Sequence, residues 1–270
     1  MTKLRVLRSE FLVDNPDDAT IDYLIRGVLG LSTAAFLGEL NSELTSIDEN
    51  KLRAAHKRLS LGESVQYITG STEFFGRKFE VDSRVLIPRQ ETAELVEFVL
   101  KQNKKFDSIL DVGTGSGILA VTLAKEFPES KVKAVDISRD ALDVAKKNAE
   151  LNNANVDFVE SDLLEEVTGT FDLIVSNPPY IADDDPEVEP SVDQNEPHLA
   201  LYAGSDGLDI YRRLIPQTKH FLSDDGIIVF EIGYKQALAV SELIKESFPN
   251  SEPQIIKDFY GKDRFIAYGN

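Results

Sequence analysis

The stretch ILDVGTGSG, residues 109–117, decides the fold of this chain. It begins as a short apolar run, which predicts a buried strand, and it leads into the apolar helical pattern of residues 118–127. Glycines at such a junction let the backbone turn sharply and approach a ligand where a β-carbon would collide. The spacing is G-x-G-x-G, not the G-x-G-x-x-G of dinucleotide-binding sites. The stretch therefore predicts a cofactor-binding turn, formed by Gly113, Thr114, Gly115, Ser116 and Gly117.

The rest of the chain downstream alternates between short apolar runs and helical patterns. Runs of this length suit strands buried on both faces of a parallel sheet. The alternation predicts an α/β fold with a doubly wound sheet and helices on both faces. The expected strands are residues 108–112, 132–137, 156–159, 171–176 and 226–232.

The last two predicted strands, 253–258 and 264–268, are joined by only five residues. A parallel crossover needs a dozen or more residues, so these strands must form an antiparallel hairpin. A nicotinamide-binding Rossmann sheet is usually parallel throughout, whereas a terminal antiparallel hairpin is typical of methyltransferases. We therefore predict a Rossmann-like class I S-adenosylmethionine methyltransferase sheet and disfavour a nicotinamide-dependent oxidoreductase.

Polar residues follow the next two strands at the same edge of the sheet. Asp136 ends the second strand, 25 residues after Asp111, where a carboxylate can accept the ribose hydroxyls of a nucleoside. Asp162 and Leu163 follow the third strand, where a polar and an apolar side chain can hold an adenine ring. Carboxyl ends of parallel strands converge on one crevice, so these residues predict an adenosine site.

The motif Asn177-Pro178-Pro179-Tyr180 follows the fourth strand, beside the expected methyl donor, and Asn177 is counted among the cofactor-binding residues. Two prolines fix φ and remove two backbone donors, so the turn is rigid and its carbonyls are free to accept. The Asn177 side-chain oxygen and the Pro178 carbonyl can each accept one N–H of a planar amide or exocyclic amine, and Tyr180 offers an aromatic face to a flat group. The motif predicts methyl transfer to such a nitrogen, and by itself it fits glutamine and adenine equally well.

The N-terminal region differs from the rest. Residues 1–72 have helical periodicity, with Ser46 as the expected cap of one helix, and residues 73–90 alternate as a β-hairpin linker. The remaining segment, 91–270, is the predicted catalytic domain. The helical domain is interpreted either as a simple cap or as a docking domain for a protein substrate.

The amino-acid composition restricts the kinds of partner that the chain is expected to bind. The chain has 29 Lys and Arg against 47 Asp and Glu, a net charge of −18. Because binding to double-stranded nucleic acid depends on Lys and Arg that neutralise phosphates, the chain is a poor candidate for such binding. It has no cysteine, its three histidines lack metal-ligand spacing, and we expect no metal. No apolar stretch has the length of a membrane helix, and the N-terminus lacks a secretion signal, so we expect a cytoplasmic protein without a membrane partner.

The long acidic loop that begins at residue 183 and runs to residues 196–198 is interpreted as a lid or a wall facing the substrate.

With these motifs in place, the chain resembles the HemK/PrmC family, the N5-glutamine methyltransferases of peptide chain release factors. The combination of P-R-x-E-T with N-P-P-Y is specific. Two positions depart from the usual family pattern: Gln90 stands where a second proline is common, and Ala93 where Glu is frequent. The matching segments are residues 66–70, 75–76, 86–92, 111–117, 176–181, 196–197, 204–208 and 261–264.

The resemblance implies methylation of the side-chain amide of the glutamine in a Gly-Gly-Gln loop of bacterial release factors, with S-adenosylhomocysteine as the other product. It also implies that the helical domain helps to bind the release factor, and we assign Arg89 and Glu91 to substrate binding together with the N-P-P-Y motif. Three alternatives remain: a ribosomal-protein glutamine methyltransferase, an adenine-N6 DNA methyltransferase and a non-catalytic nucleotide-binding module. The DNA enzyme needs a sizeable basic recognition region, whereas residues 1–75 carry eight Lys and Arg against eleven Asp and Glu, a charge of −3.

Overall fold

The computed structural model describes residues 2–15 and 17–269, and the chain divides into two compact units. The smaller unit comprises Met1–Ser71, Val81–Ser83 and Glu189–Asn195. The larger unit comprises Thr72–Glu80, Arg84–Val188 and Glu196–Asn270.

The smaller unit is helical. Its apolar core is formed by buried side chains that recur at helical spacing, among them Leu7, Phe11, Ile21 and Ile25. Its helices are α1 (Leu4–Asp14), α2 (Asp18–Leu29), α3 (Thr33–Glu39), α4 (Ser46–Ser60), α5 (Val65–Thr69) and, far along the chain, α9 (Pro190–Asn195).

The predicted cap of α4 is wrong by one residue. The helix begins at Ser46, and its N-cap is Thr45, whose hydroxyl accepts a hydrogen bond from the Asp48 backbone N–H at 3.1 Å. Thr45 and Asp48 have the same three-residue spacing as Ser46 and Glu49, so the sequence offers two overlapping capping patterns.

No single helix within residues 2–15 and 17–269 is long and apolar enough to cross a membrane. Helices α2 and α3 reach that length and apolarity only when taken together, and they bend by 94° at their junction.

Strands β1 (Ser71–Phe74) and β2 (Arg77–Glu80) form a hairpin, as the alternating pattern predicts, and all of it except Ser71 belongs to the larger unit. The same pattern predicts a strand at Val85–Ile87, but these residues do not form one. The Ile87 backbone N–H instead donates to a carboxylate oxygen of Glu196 at 3.1 Å, and the Val85 and Ile87 side chains are buried.

A mixed seven-stranded sheet forms the centre of the larger unit, with the order β5-β4-β3-β6-β7-β9-β8. The first five strands in that order are parallel, and β9 is antiparallel to both of its neighbours. The five-residue link between β8 and β9 requires that pair to be antiparallel. The strands are β3 (Ser108–Val112), β4 (Lys131–Asp136), β5 (Val156–Glu160), β6 (Phe171–Ser176), β7 (Leu222–Glu231), β8 (Gln254–Lys257) and β9 (Asp263–Gly269).

Helices cover both faces of this sheet, and each face has its own apolar core. Strand β3 lies between β4 and β6, so the chain crosses to the other half of the sheet after β5. In such sheets a crevice opens at the carboxyl ends of the strands where the order reverses. The helices of this unit are α6 (Gln90–Lys101), α7 (Ile118–Glu126), α8 (Arg139–Leu151), α10 (Asp209–Thr218) and α11 (Ala237–Ser247).

Candidate active site

The turn between β3 and α7 presents backbone to a cavity at the carboxyl edge of the sheet. Gly113 and Gly115 both line this cavity, with φ angles of +70° and +55°. A β-carbon at either glycine would meet no atom within 4 Å. Glycine adopts these angles without strain, so the turn keeps its shape and leaves open space beside its backbone.

Asp111 holds this turn from beneath. Its side chain is buried, and one carboxylate oxygen accepts the Thr114 hydroxyl at 2.6 Å and the Ala120 backbone N–H at 3.1 Å. Burial raises the pKa of Asp111 to about 7, although these two hydrogen bonds act to lower it. Asp111 therefore ties the start of the turn to the first turn of α7.

Asp136, at the end of β4, lines the same cavity. One carboxylate oxygen accepts the Gly115 backbone N–H and the other accepts the Ser138 backbone N–H, each at 2.8 Å. Burial raises the pKa of Asp136, and the backbone hydrogen bonds oppose that effect. Ser138 is the N-cap of α8, because its hydroxyl accepts from the Ala141 N–H at 3.2 Å. Asp136 is thus a cavity-lining carboxylate and not the helix cap.

Asp162 and Leu163, after β5, form another part of the cavity wall. Leu163 has a φ of +52°, a left-handed conformation that is rare for an apolar side chain with a β-carbon. Asp162 accepts a hydrogen bond from the Arg213 guanidinium at 2.7 Å. The backbone at this point is held in an unfavourable conformation beside the cavity.

The turn after β6 brings Asn177, Pro178 and Pro179 to the cavity. The Asn177 side-chain nitrogen donates to the Thr92 hydroxyl oxygen at 3.2 Å. Within residues 2–15 and 17–269, neither the Asn177 side-chain oxygen nor the Pro178 carbonyl accepts a hydrogen bond. Two acceptors, one from a side chain and one from the backbone, are therefore available at adjacent positions of a rigid turn.

Behind Asn177 lies a buried polar network that the sequence analysis missed. The Thr92 hydroxyl donates to one oxygen of the Glu231 carboxylate at 2.8 Å, and the Tyr180 hydroxyl donates to the other at 3.3 Å. Glu231 is 1% exposed, and burial raises its pKa to about 7. One local signal was present in the sequence, because Glu231 is an acidic residue inside the apolar run 226–232, and a buried charge calls for partners.

Glu196 is a further buried carboxylate, and the sequence predicted no role for it. Its side chain is 2% exposed, lies 2.6 Å from the Arg89 guanidinium and also accepts the Ile87 N–H. This arrangement holds the segment that precedes α6 against the cavity, which Pro88 and Arg89 line. The end of the acidic loop contributes to the same wall, because Pro197 also lines the cavity.

Asn148 of α8 is another residue whose role the sequence did not predict. It is fully buried, accepts the Glu80 backbone N–H at 2.6 Å and donates to the Glu80 carbonyl at 2.9 Å and the Ser116 carbonyl at 2.8 Å. A single amide thus joins the hairpin, α8 and the glycine turn. Local patterns give no signal for such contacts, since Glu80 lies 68 residues away in the chain.

The structure brings most of the predicted site residues to one cavity, but three do not line it. Gly117 lies at the start of α7, Glu91 in the first turn of α6, and the Tyr180 hydroxyl faces Glu231. The predicted residues that line the cavity are Arg89, Gly113, Thr114, Gly115, Ser116, Asp136, Asp162, Leu163, Asn177, Pro178 and Pro179.

Two family models match the chain. Residues 8–70 match the PrmC N-terminal domain, and residues 90–195 match the Methyltransferase small domain. The two matches fall on the helical region and on the segment that carries the glycine turn and the N-P-P-Y motif.

Similar proteins cover nearly the whole chain. A release factor glutamine methyltransferase from Lactococcus lactis is 45% identical, over 94% of this chain and 95% of the relative. A protein of the same name from Streptococcus pneumoniae is 41% identical, over 98% of each chain. A further one from Bacillus subtilis is 45% identical over 76% of this chain and 75% of its own.

Solved structures share the fold of the larger part of the chain. A ribosomal protein L11 methylase from Lactobacillus delbrueckii superposes with a TM-score of 0.52 at 27% identity, over 74% of this chain and 89% of its own. A Thermus thermophilus 16S rRNA methyltransferase, solved with S-adenosylmethionine and guanosine, gives a TM-score of 0.52 at 18% identity, over 73% and 48%.

Proposed function

Because this chain belongs to the family of release factor glutamine methyltransferases, we propose that it methylates the side-chain amide nitrogen of a release-factor glutamine, with S-adenosylmethionine as donor. The single observation that carries the proposed chemistry is the Asn177-Pro178 turn. It offers two oxygen acceptors that have no donor among the described residues, at a cavity that the glycine-rich turn also lines. The glutamine proposed is the one in the Gly-Gly-Gln loop, and the modified atom is N5.

The residues around the cavity fit the donor. The backbone at Gly113 and Gly115 leaves open space, as the close approach of a bound amino-acid moiety requires. Asp136 can accept ribose hydroxyls, and Asp162 and Leu163 can hold the adenine ring between a polar and an apolar contact. When bound there, S-adenosylmethionine supplies an electrophilic methyl group on a positively charged sulfur.

The chain's own residues position the acceptor nitrogen. The Asn177 side-chain oxygen and the Pro178 carbonyl each accept one N–H of the substrate amide, which fixes the plane of that amide. The nitrogen forms its bond to the methyl carbon as the carbon–sulfur bond breaks, and that electron pair remains on sulfur. The methylated nitrogen then releases one proton to solvent water. No strong base is needed, and positioning supplies most of the rate.

The remaining site residues are Arg89, Glu91 and Tyr180. They are assigned from the family resemblance and the N-P-P-Y motif, and of the three only Arg89 lines the cavity. We propose that Arg89 and Glu91, on either side of the start of α6, contact the release factor, and that Tyr180 packs against the glutamine amide. We also propose that residues 1–72 form the docking domain, residues 73–90 a linker and residues 91–270 the catalytic domain. The match of residues 8–70 to the PrmC N-terminal domain supports a family-specific role for the helical region.

The charge of the chain supports a protein substrate over a nucleic acid. A DNA-adenine enzyme with the same motif has to neutralise phosphates and extrude its base. The net charge of −18 works against the first of these requirements.

The test is to incubate the protein with methyl-labelled S-adenosylmethionine and a purified bacterial release factor, and to locate the label by mass spectrometry. We expect one methyl group on the glutamine of the Gly-Gly-Gln loop. A release factor with that glutamine replaced by asparagine is the control and should stay unlabelled. Labelling of ribosomal protein or of DNA in place of the release factor would overturn the assignment.

Asp136 and Asn177 are expected to have separable roles. Asp136→Ala should raise the Kd for S-adenosylmethionine about tenfold or more, because it removes both a ligand contact and the bond to the Gly115 N–H. Asn177→Ala should leave that Kd within about twofold and lower kcat roughly a hundredfold. Calorimetric binding and single-turnover assays measure the two effects, and equal changes in both constants would contradict this division of roles.

A further inference from the structure

The Asn177 amide can contribute its oxygen to the substrate only if it is held in one of two orientations. Rotation by about 180° about the last side-chain bond exchanges its oxygen and nitrogen, and the two orientations have nearly the same shape. In one of them an acceptor faces the substrate N–H, and in the other a donor does. Groups that contact the Asn177 amide therefore have to favour one orientation over the other.

The donors and acceptors of Thr92 and Glu231 favour one of the two orientations of the Asn177 amide. An ionised carboxylate only accepts, so Glu231 takes the Thr92 hydroxyl hydrogen on one oxygen and the Tyr180 hydroxyl hydrogen on the other. Thr92 has one hydroxyl hydrogen, which it donates to Glu231. Its oxygen can therefore only accept toward Asn177, and it accepts from the side-chain nitrogen at 3.2 Å.

The same hydrogen bonds disfavour the reversed orientation of the Asn177 amide. It would set the amide oxygen against the lone pairs of the Thr92 hydroxyl, with no hydrogen between the two oxygens. The arrangement is buried, since Thr92 and Glu231 are each 1% exposed, so water does not relieve the mismatch.

We propose that Thr92 and Glu231 are positioning residues that hold the Asn177 amide oxygen toward the methyl-accepting nitrogen. This inference rests on the proposed function, because it assigns Asn177 the role of acceptor. Neither residue need touch the reacting atoms. The chain of hydrogen bonds runs from the Glu231 carboxylate through the Thr92 hydroxyl to the Asn177 nitrogen.

The surroundings of Glu231 set the conditions for a test. Burial raises the pKa of Glu231 to about 7, while the Thr92 hydrogen bond, the Arg264 charge and the Tyr180 hydrogen bond lower it and the Glu91 charge raises it. Tyr211 of α10 also faces this position, and its hydroxyl donates to the Glu231 backbone carbonyl at 2.6 Å. Assays at about pH 8.5 keep the Glu231 carboxylate ionised.

Thr92→Val and Thr92→Ser form the decisive pair of variants. Valine has nearly the shape of threonine but cannot accept from Asn177, whereas serine keeps the hydroxyl and loses only a methyl group. We expect Thr92→Val to lower kcat about tenfold, with the Kd for S-adenosylmethionine within about twofold, and Thr92→Ser to recover most of the loss. Thr122→Val is the control, because the buried Thr122 hydroxyl has no hydrogen-bond partner within the described residues and the same exchange should leave kcat unchanged.

Glu231→Gln tests the other end of the chain of hydrogen bonds. A glutamine amide can satisfy Thr92 in either sense, so the selection at Asn177 weakens and kcat should fall severalfold. The two residues act through one another, so the double variant Thr92→Val with Glu231→Gln should be no slower than Thr92→Val alone. Independent, multiplying losses in the double variant would overturn the inference.

A measurement without turnover separates this inference from the proposed function. The Asn177 side-chain NH2 signals, assigned in a deuterated, ¹⁵N-labelled protein by their loss in Asn177→Ala, report the bond to Thr92 directly. In Thr92→Val we expect faster hydrogen exchange of the bonded proton and a shift of its resonance, with Thr92→Ser close to wild type. Unchanged Asn177 signals or an unchanged kcat in Thr92→Val would overturn the inference, whereas a wild-type protein that leaves release factors unmethylated would overturn the proposed function alone.

Discussion

The start of α7 lies directly against α8, because a β-carbon at Gly117 would stand 3.0 Å from the β-carbon of Ala145. Gly117 also has a φ of +82°, which disfavours any residue with a β-carbon. The third glycine of the G-x-G-x-G turn therefore serves helix packing, whereas Gly113 and Gly115 border the cavity.

Gly117→Ala should lower the free energy of unfolding by about 2–4 kcal/mol, since it adds a strained φ to an overpacked contact. Gly169→Ala is the matched control: its φ is +90°, but a β-carbon there would meet no atom within 4 Å. That control should cost only about 1–2 kcal/mol. Urea denaturation of both variants measures the difference, and equal losses would show that the contact with Ala145 contributes nothing.

Asn148 should be intolerant of a carboxylate. In Asn148→Asp, an oxygen would replace the nitrogen that donates to the Glu80 and Ser116 carbonyls, so two hydrogen bonds become repulsive contacts in a buried position. We expect a loss of about 3–5 kcal/mol in the free energy of unfolding, and weaker S-adenosylmethionine binding because Ser116 lines the cavity.

Asn152→Asp provides the comparison for Asn148. Asn152 also donates to a hairpin carbonyl, that of Lys78 at 2.9 Å, but in a solvent-exposed position. Solvent screens the new charge there, and the loss should stay below about 1 kcal/mol. Thermal unfolding and calorimetric titration measure both properties, and a comparable loss in the two variants would argue against the role of Asn148 as a buried junction.

The sequence was sufficient for the features that depend on local patterns. The five parallel strands, the glycine turn and the terminal hairpin were predicted because apolar runs, glycine spacing and a five-residue link each constrain the backbone nearby. The fold class follows from those elements alone.

The supporting contacts of the site could not be predicted in this way. Thr92 and Glu231 are 139 residues apart, and Arg89 and Glu196 are 107 apart, so no periodicity links them. Residues 85–87 have the composition of a strand, but a strand needs a partner, and Glu196 takes up the Ile87 N–H instead. Side chains at the ends of strands were foreseeable, whereas the side chains that orient them depend on the tertiary fold.

Leu163 is expected to be retained for binding at a cost in stability. Its φ of +52° costs about 1–2 kcal/mol for a residue with a β-carbon. Leu163→Gly relieves that strain but also removes contacts of the side chain with the apolar core, so the free energy of unfolding should change by less than about 2 kcal/mol, whereas S-adenosylmethionine binding should weaken about tenfold because the apolar wall is lost. Asn153→Gly, at a φ of +50° outside the cavity-lining set, should leave binding unchanged. Calorimetric titration decides the point, and wild-type affinity in Leu163→Gly would mean that this side chain does not contact the cofactor.

The buried Asp111 carboxyl should make the stability of the protein fall as the pH rises. Its pKa is about 7 in the folded protein, raised by burial, whereas an unfolded aspartate ionises near pH 4. Between these values the folded state holds a proton that the unfolded state has released. Raising the pH across that window therefore lowers the free energy of unfolding, by up to about 1.4 kcal/mol per pH unit for one group.

Asp111→Asn removes this titration, so the slope of the free energy of unfolding between pH 5 and pH 7 should become less negative. In Asp172, burial acts to raise the pKa, but hydrogen bonds from Ser223 and from the Ser108 N–H outweigh it and lower the value. The contribution of Asp172 to stability is therefore lost only below pH 4, and Asp172→Asn should keep the wild-type slope between pH 5 and pH 7. Denaturant unfolding at half-unit pH steps gives the slopes, and an unaltered slope in Asp111→Asn would place the titrating group elsewhere.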